Sequence, residues 1–436
     1  MLNICVFGLW HLGCVTAACV AERFATIGLD PNVATIAGLQ DGEAPIFEPG
    51  LNELLRTART NGTLRFSNDV QEVVPSCNLV WVTFDTPVND SDEANFGYVE
   101  RQITSLFPHL RDGSTVLISS QMPVGSTARI AGAYRMTHTN QDVRFAYSPE
   151  NLRLGNAIEV FKSPGRIVVG IRDQRDRERL EKYLAPFCEN LLWMSIESAE
   201  MTKHALNAFL ATSVTFANEV AAICEGVGAD AQQVEQGLKT DGRIGPRAYV
   251  RAGGPFAGGT LARDISFLKT TAEQLRIATP LLGSILESNE FQKYWPLRKL
   301  QELWGLLAGR TAAIFGLTYK PGTNTLRRSA AIELCRALSE AGVKIRAFDP
   351  LVKRLPDELS RQIELFDSAK EAARGSDAVV LATEWPEFRN LSAEDLISGM
   401  NTPIFLDANR FLEKTLDLTP RLRYITVGRS TEGACS

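Results

Sequence analysis

Three stretches of the 436-residue chain hold residue types at spacings that could do chemistry. The first is Gly8-Leu9-Trp10-His11-Leu12-Gly13, between the apolar run Asn3–Phe7 and an Ala/Val-rich helix. A glycine turn there seats a pyrophosphate on the N–H groups of a helix start. Asp30 follows the next expected strand, Phe24–Leu29, where an acid meets ribose hydroxyls. A carboxylate repels a 2′-phosphate, so NAD is expected rather than NADP. Gly8, Gly13 and Asp30 are therefore candidate cofactor residues. Trp10 occupies the place where a second glycine would let backbone approach the phosphates, and its side chain crowds them unless the loop shifts.

The second stretch, Glu200–Asn207, lies in an expected helix from about 196 to 225 with no interior Gly or Pro before Cys224. Lys203 and Asn207 stand four apart and share a helix face. By itself such a pair is more often a solvated stripe. The third runs from Gly253 to Asp264. Its four glycines between Gly253 and Gly259 let backbone approach a ligand or adopt positive φ. Thr260, Arg263 and Asp264 then open a helix with apolar Ile265, Phe267 and Leu268. Arg243, Arg247 and Arg251, just upstream, suit a diphosphate, or form a solvated basic face.

The elements that must position these residues alternate strand and helix. The expected fold class is α/β: two Rossmann-like, doubly wound parallel-sheet domains joined by a long central helix. Expected bounds are 1–195 for the cofactor domain, 196–295 for a central helical region and 296–436 for a second nucleotide fold. A net charge of −5 argues against nucleic acid as the main partner. No run of 18 apolar residues predicts a membrane span, and no leader is read at the N-terminus. Eight cysteines without a CxxC pair suit small core positions in a reducing cytoplasm. Four histidines, none spaced as a ligand pair, predict no catalytic metal.

Taken with Glu200–Asn207 and Arg243-Ile244-Gly245-Pro246, the glycine stretch resembles the active-site segment of the UDP-glucose/GDP-mannose dehydrogenase family. The likeness extends over nearly the whole chain. Gly42–Leu51, Phe84-Asp85-Thr86-Pro87, Ser120-Gln121-Met122-Pro123, Ser148–Gly155, Gly316–Ser329 and Asn409-Arg410 resemble other family segments. The resemblance implies a nucleotide-sugar substrate, UDP-linked by preference, NAD as cofactor, and a homodimer or higher homo-oligomer built on the central helix. It implies cofactor roles for Thr86, Gln121 and Arg327. It implies substrate roles for Leu152, Arg243, Arg251, Phe256, Gly258, Lys320 and Arg410, and catalytic roles for Glu150, Lys203, Asn207, Thr260 and Asp264.

The family oxidises C6 of the sugar twice. A cysteine thiolate adds to the intermediate aldehyde, and the resulting thioester is hydrolysed to a uronate. Here Thr260 stands in the cysteine's place, Arg263 in that of a lysine and Leu154 in that of a glutamate near the nicotinamide. A threonine hydroxyl is mostly protonated at neutral pH and a weak nucleophile without an adjacent base. Three readings follow, in this order: a nucleotide-sugar dehydrogenase without a covalent cysteine intermediate, a nucleotide-sugar-binding protein without turnover, and an epimerase working through a keto intermediate.

Overall fold

The computed structural model describes residues 3–87, 95–150, 152–257, 259–416 and 419–430. The chain divides into two units, Met1–Leu206 and Asn207–Ser436. In the first, β1 (Asn3–Phe7), β2 (Ala25–Leu29), β3 (Leu64–Ser67), β4 (Leu79–Val82), β5 (Thr115–Ile118), β6 (Arg144–Tyr147), β7 (Ile167–Ile171) and β8 (Leu191–Ser195) form one sheet. Its order is β3-β2-β1-β4-β5-β6-β7-β8. All pairings are parallel except β6 with β7. The central strands are apolar almost throughout, as a sheet covered on both faces requires.

The second unit repeats the plan. β9 (Thr311–Phe315), β10 (Lys344–Phe348), β11 (Ile363–Leu365), β12 (Ala378–Leu381), β13 (Ile404–Asp407) and β14 (Arg423–Ile425) make a parallel sheet in the order β11-β10-β9-β12-β13-β14. Both sheets reverse direction at their first strand, the switch point where α/β sheets bind ligands.

The two switch points share a detailed motif. Gly8 (φ 101°) and Gly316 (φ 84°) both leave the first strand in left-handed geometry. The next amide, Leu9 or Leu317, donates to an aspartate at the end of the second strand, at 2.7 Å in each case. Asp349 is then saturated: it also accepts from Thr318 N and Oγ1, Trp385 Nε1, Leu351 N and Val352 N. Asp30 accepts, beyond Leu9, from Asn32 N at 2.8 Å. A carboxylate has about four lone-pair sites, so Asp30 retains capacity for a ligand.

The central helix, Ile196–Val227, is long and apolar enough to cross a membrane by length and composition. Its buried polar side chains nevertheless bond to protein partners: Glu200 to Gly125 N, Lys203 to Glu150 O, Asn218 to Gly253 N. It is therefore a core helix. In the second unit, its residues Ala208, Ala211 and Val214 pack with Phe256, Ile265 and Ile285. The apolar pattern of Leu206, Phe209, Leu210, Val214 and Phe216 predicts burial on more than one face; Val214 is buried, but Phe209 and Phe216 are 70% and 50% exposed. With Ile223 and Val227, also exposed, they make a stripe at seven- and four-residue intervals.

Candidate active site

In the first unit, the helix His11–Val20 begins without a side-chain cap, leaving its first N–H groups for an anion. Glycine is needed at Gly13, because a Cβ there would stand 1.8 Å from Gly8 O. Thr83 Oγ1 donates to Gly8 O at 2.8 Å and steadies the turn. Trp10 is the helix N-cap at φ −95°, ordinary for a side-chain-bearing residue, with its indole 49% exposed. At the end of β5 the Ser120 hydroxyl is buried and has no hydrogen-bond partner among the described residues. Thr86 Oγ1 donates to Gln121 O at 2.6 Å, joining the loops after β4 and β5. An uncapped helix start, an acid with free lone pairs and an orphaned hydroxyl along one sheet edge fit a dinucleotide.

Glu150 and Lys203 meet in the same unit. Lys203 Nζ donates to Glu150 O at 2.6 Å and lies 3.4 Å from Oε1. The other carboxylate oxygen accepts from Leu152 N at 2.7 Å. The Lys203 side chain is 8% exposed and that of Glu150 27%, so the lysine is enclosed while the carboxylate keeps some access to solvent.

Sequence reasoning missed two buried glutamates. Glu200 accepts from Gly125 N at 2.6 Å and Thr127 N at 3.0 Å, capping the helix Ser126–Thr137 from a distance. Glu48 does the same for Ala157–Lys162, accepting from Ala157 N at 2.8 Å. The backbone donors lie 73 or more residues away, and no local pattern announces such a partner.

In the second unit, Asn207 donates to buried Asp264. The glycine stretch between them in sequence is held by amide side chains. Asn218 bonds Gly253 N at 2.8 Å, Gln292 bonds Gly253 O at 2.7 Å, and Asn409 bonds Gly254 N at 2.7 Å. Asn289 pairs with both N and O of Phe256. A weak signal for Asn218 existed: it follows Asn207 by three helical turns and so shares its face. Gly258 lies outside the described residues. Thr260 is the first residue of the helix Thr260–Gln274 and is exposed. No described base is hydrogen-bonded to its hydroxyl. The second unit's cysteines among the described residues, Cys224 and Cys335, are buried in its core; burial pushes the Cys335 thiol up to about 12.

The cationic candidates differ in their engagement. Lys320 is exposed on the loop after β9, and the neighbouring Tyr319 hydroxyl approaches Gly259, within 3.8 Å of where a Cβ would be. Arg327, on that loop, is also exposed. Arg243 turns back on Asp241 at 2.7 Å with its side chain 91% exposed. Arg251 donates to Asn409 O at 2.6 Å. Arg410 is the most enclosed: it bonds Asp230 at 2.9 Å and Gln232 at 2.9 Å, and lies 3.5 Å from Glu413.

A glycine turn, an uncapped helix start and a ribose-type acid at the ends of β1 and β2, with a lysine–carboxylate pair in the same unit, are the features of an NAD-dependent oxidoreductase. Comparison with known proteins narrows the class. The chain belongs to the UDP-glucose/GDP-mannose dehydrogenase family: residues 2–188 match its NAD binding domain, 197–291 its central domain and 313–414 its UDP binding domain. It is 32% identical to UDP-glucose 6-dehydrogenase of Pseudomonas aeruginosa, with 100% of this chain and 99% of that protein covered. It is 33% identical to UDP-glucose 6-dehydrogenase of Rhizobium meliloti, with 98% and 100% covered. A solved UDP-glucose dehydrogenase from the archaeon Pyrobaculum islandicum superposes with a TM-score of 0.83 at 27% identity, covering 99% of this chain and 98% of that one. The protein is thus a nucleotide-sugar dehydrogenase with NAD as cofactor. The binding-protein and epimerase readings gain no support.

Proposed function

We propose that the protein oxidises the C6 alcohol of a UDP-hexose, of the UDP-glucose type, without a covalent enzyme intermediate. Bound NAD would supply the hydride acceptor. Loss of a hydride from the alcohol carbon must be matched by loss of the hydroxyl proton. Glu150 and Asp264 are the carboxylates suited to take it, directly or through water. Lys203 and the Asn207 amide are donors suited to a developing oxyanion. The observation that carries the reading is Thr260: an exposed hydroxyl with no described base, where attack on an aldehyde needs an activated nucleophile. A second oxidation would then require water to add to the aldehyde. Lys320, Arg243 and Arg251 are cations suited to a diphosphate; the family resemblance assigns Arg327 to the cofactor. Arg410 serves as a brace unless substrate draws it from Asp230.

The remaining features of the proposal are a division at 1–195, 196–295 and 296–436, a cytoplasmic location, and self-association. The exposed stripe of Phe209, Phe216, Ile223 and Val227 supports a homodimer. The test is a screen of UDP- and GDP-sugars with NAD, following NADH absorbance, counting NADH per sugar and recording intact protein mass. One NADH per sugar with no adduct supports the reading. A sugar adduct on Thr260 refutes it. Monomeric protein at micromolar concentration in analytical ultracentrifugation refutes the dimer.

A further inference from the structure

Glu48 lies in the Gly42–Leu51 segment, in the turn that ends at Gly50, and is not among the candidate cofactor, substrate or catalytic residues. Its side chain is 1% exposed, yet it accepts three hydrogen bonds from two separate segments. Oε2 accepts from Gly155 N at 2.8 Å and meets His11 Nε2 at 2.8 Å; Oε1 accepts from Ala157 N at 2.8 Å. Burial pushes this carboxyl up, but the bonds from Gly155, His11 and Ala157 outweigh it and hold the group below its ordinary value. An ionised carboxylate only accepts, so His11 presents Nε2–H to it. His11 is the first residue of the helix whose N-terminus faces the cofactor turn. Gly155 and Ala157 end the segment that starts at Glu150, whose other end is fixed by Lys203.

We propose that Glu48 is a positioning residue, fastening the start of the cofactor helix through His11 to the segment that carries Glu150. The proposal rests on the NAD-dependent reading above and adds to it a residue that contacts neither cofactor nor substrate. Glutamine is not a neutral replacement here. Placed at Oε2, its amide nitrogen faces Gly155 N–H; placed at Oε1, it faces Ala157 N–H. Either orientation sets a donor against a donor and leaves a buried N–H unsatisfied. Relief requires one segment to move, and sub-ångström placement matters for hydride transfer.

The test is NAD calorimetry and steady-state kinetics on the full chain, comparing wild type, His11→Leu, Glu48→Gln and the double variant. Glu48→Gln is expected to weaken NAD binding about tenfold, and to lower kcat at saturating NAD and sugar by about tenfold. His11→Leu, which removes one arm only, is expected to weaken NAD binding severalfold. The double variant is expected to bind no more weakly than Glu48→Gln, because both changes act through one anchor. Additive losses in the double variant overturn the proposal. So does Glu48→Gln with wild-type NAD affinity and kcat and only a lowered Tm. If Glu48→Gln does not fold, wild-type NAD affinity in His11→Leu has the same force. Wild-type protein that binds no NAD overturns the cofactor reading and this proposal with it.

Discussion

Gly253 and Gly254 give a paired test of how the glycine-rich loop is held. Alanine at Gly253 would place its Cβ 2.0 Å from Asn409 Oδ1 and 3.1 Å from its Cγ. Real Cβ atoms do not come so close, so the amide must move. That same oxygen accepts from Gly254 N at 2.7 Å, and Asn409 is held by Arg251 through its carbonyl and by Asp407 through its N–H. Losing the Gly254 bond costs about 1–1.5 kcal/mol. Accommodating the methyl in a packed site adds about 1–2 kcal/mol. Alanine at Gly254 meets its nearest atom, Asn409 Nδ2, at 3.5 Å, an ordinary contact. Neither residue is among those with positive φ, so backbone strain does not separate them. Gly253→Ala should therefore lose about 2–3.5 kcal/mol, on the order of 5–10 °C in Tm, and raise KM for the sugar. Gly254→Ala should lose less than about 1 kcal/mol. The assay is urea unfolding followed by sugar-dependent kinetics on both variants. Equal losses at the two positions would falsify the account of the Asn409 contact.

Three further outcomes are expected. If Asp30 holds the ribose through a charge-assisted bond, as proposed, Asp30→Ala should weaken NAD binding by about 1.5–3 kcal/mol, measured by calorimetry; unaltered affinity would remove Asp30 from the cofactor site. Thr260→Cys should raise the second oxidation, read as NADH released per sugar, if the pocket otherwise suits a C6 dehydrogenase; an unchanged ratio points to a different limiting group. Glu48 is held below its ordinary value of 4.5, so its contribution to stability is present above that pH and lost as pH falls through the lower folded value. The stability gap between wild type and Glu48→Gln should thus be full at pH 7 and close below about pH 4.5 in urea titrations; a gap that widens in acid contradicts the sign.

Much of the architecture was legible because it depends on local signals. The strand–Gly8–helix–Asp30 order defines a βαβ unit before any contact is known, and the central helix announces itself by its length without Gly or Pro. Lys203 and Asn207 are placed on one face by helical periodicity alone. What was not legible depends on partners distant in sequence. Glu48 and Glu200 look like surface acids, but one is bonded to donors 107 and 109 residues on and the other to donors 75 and 73 residues back. Asn289 and Gln292 hold a loop more than 30 residues upstream. Phe209 and Phe216 misled for another reason: apolar spacing marks a face that avoids water, and it does not say whether the same chain covers it.

The difference between Asp30 and Asp349 gives one polypeptide its own internal standard. Hydrogen exchange reads how often a backbone amide opens to solvent. The amides of Leu317 and Thr318 are locked onto a carboxylate with no lone pair to spare, so their exchange should be slow whether or not ligand is present. The Leu9 amide is bonded just as closely to Asp30, but that carboxylate keeps lone pairs for a ligand, so protection around Gly8 and Leu9 should rise with NAD concentration by mass action. The ratio of the two rates then becomes a cofactor-occupancy gauge with its reference inside the same polypeptide.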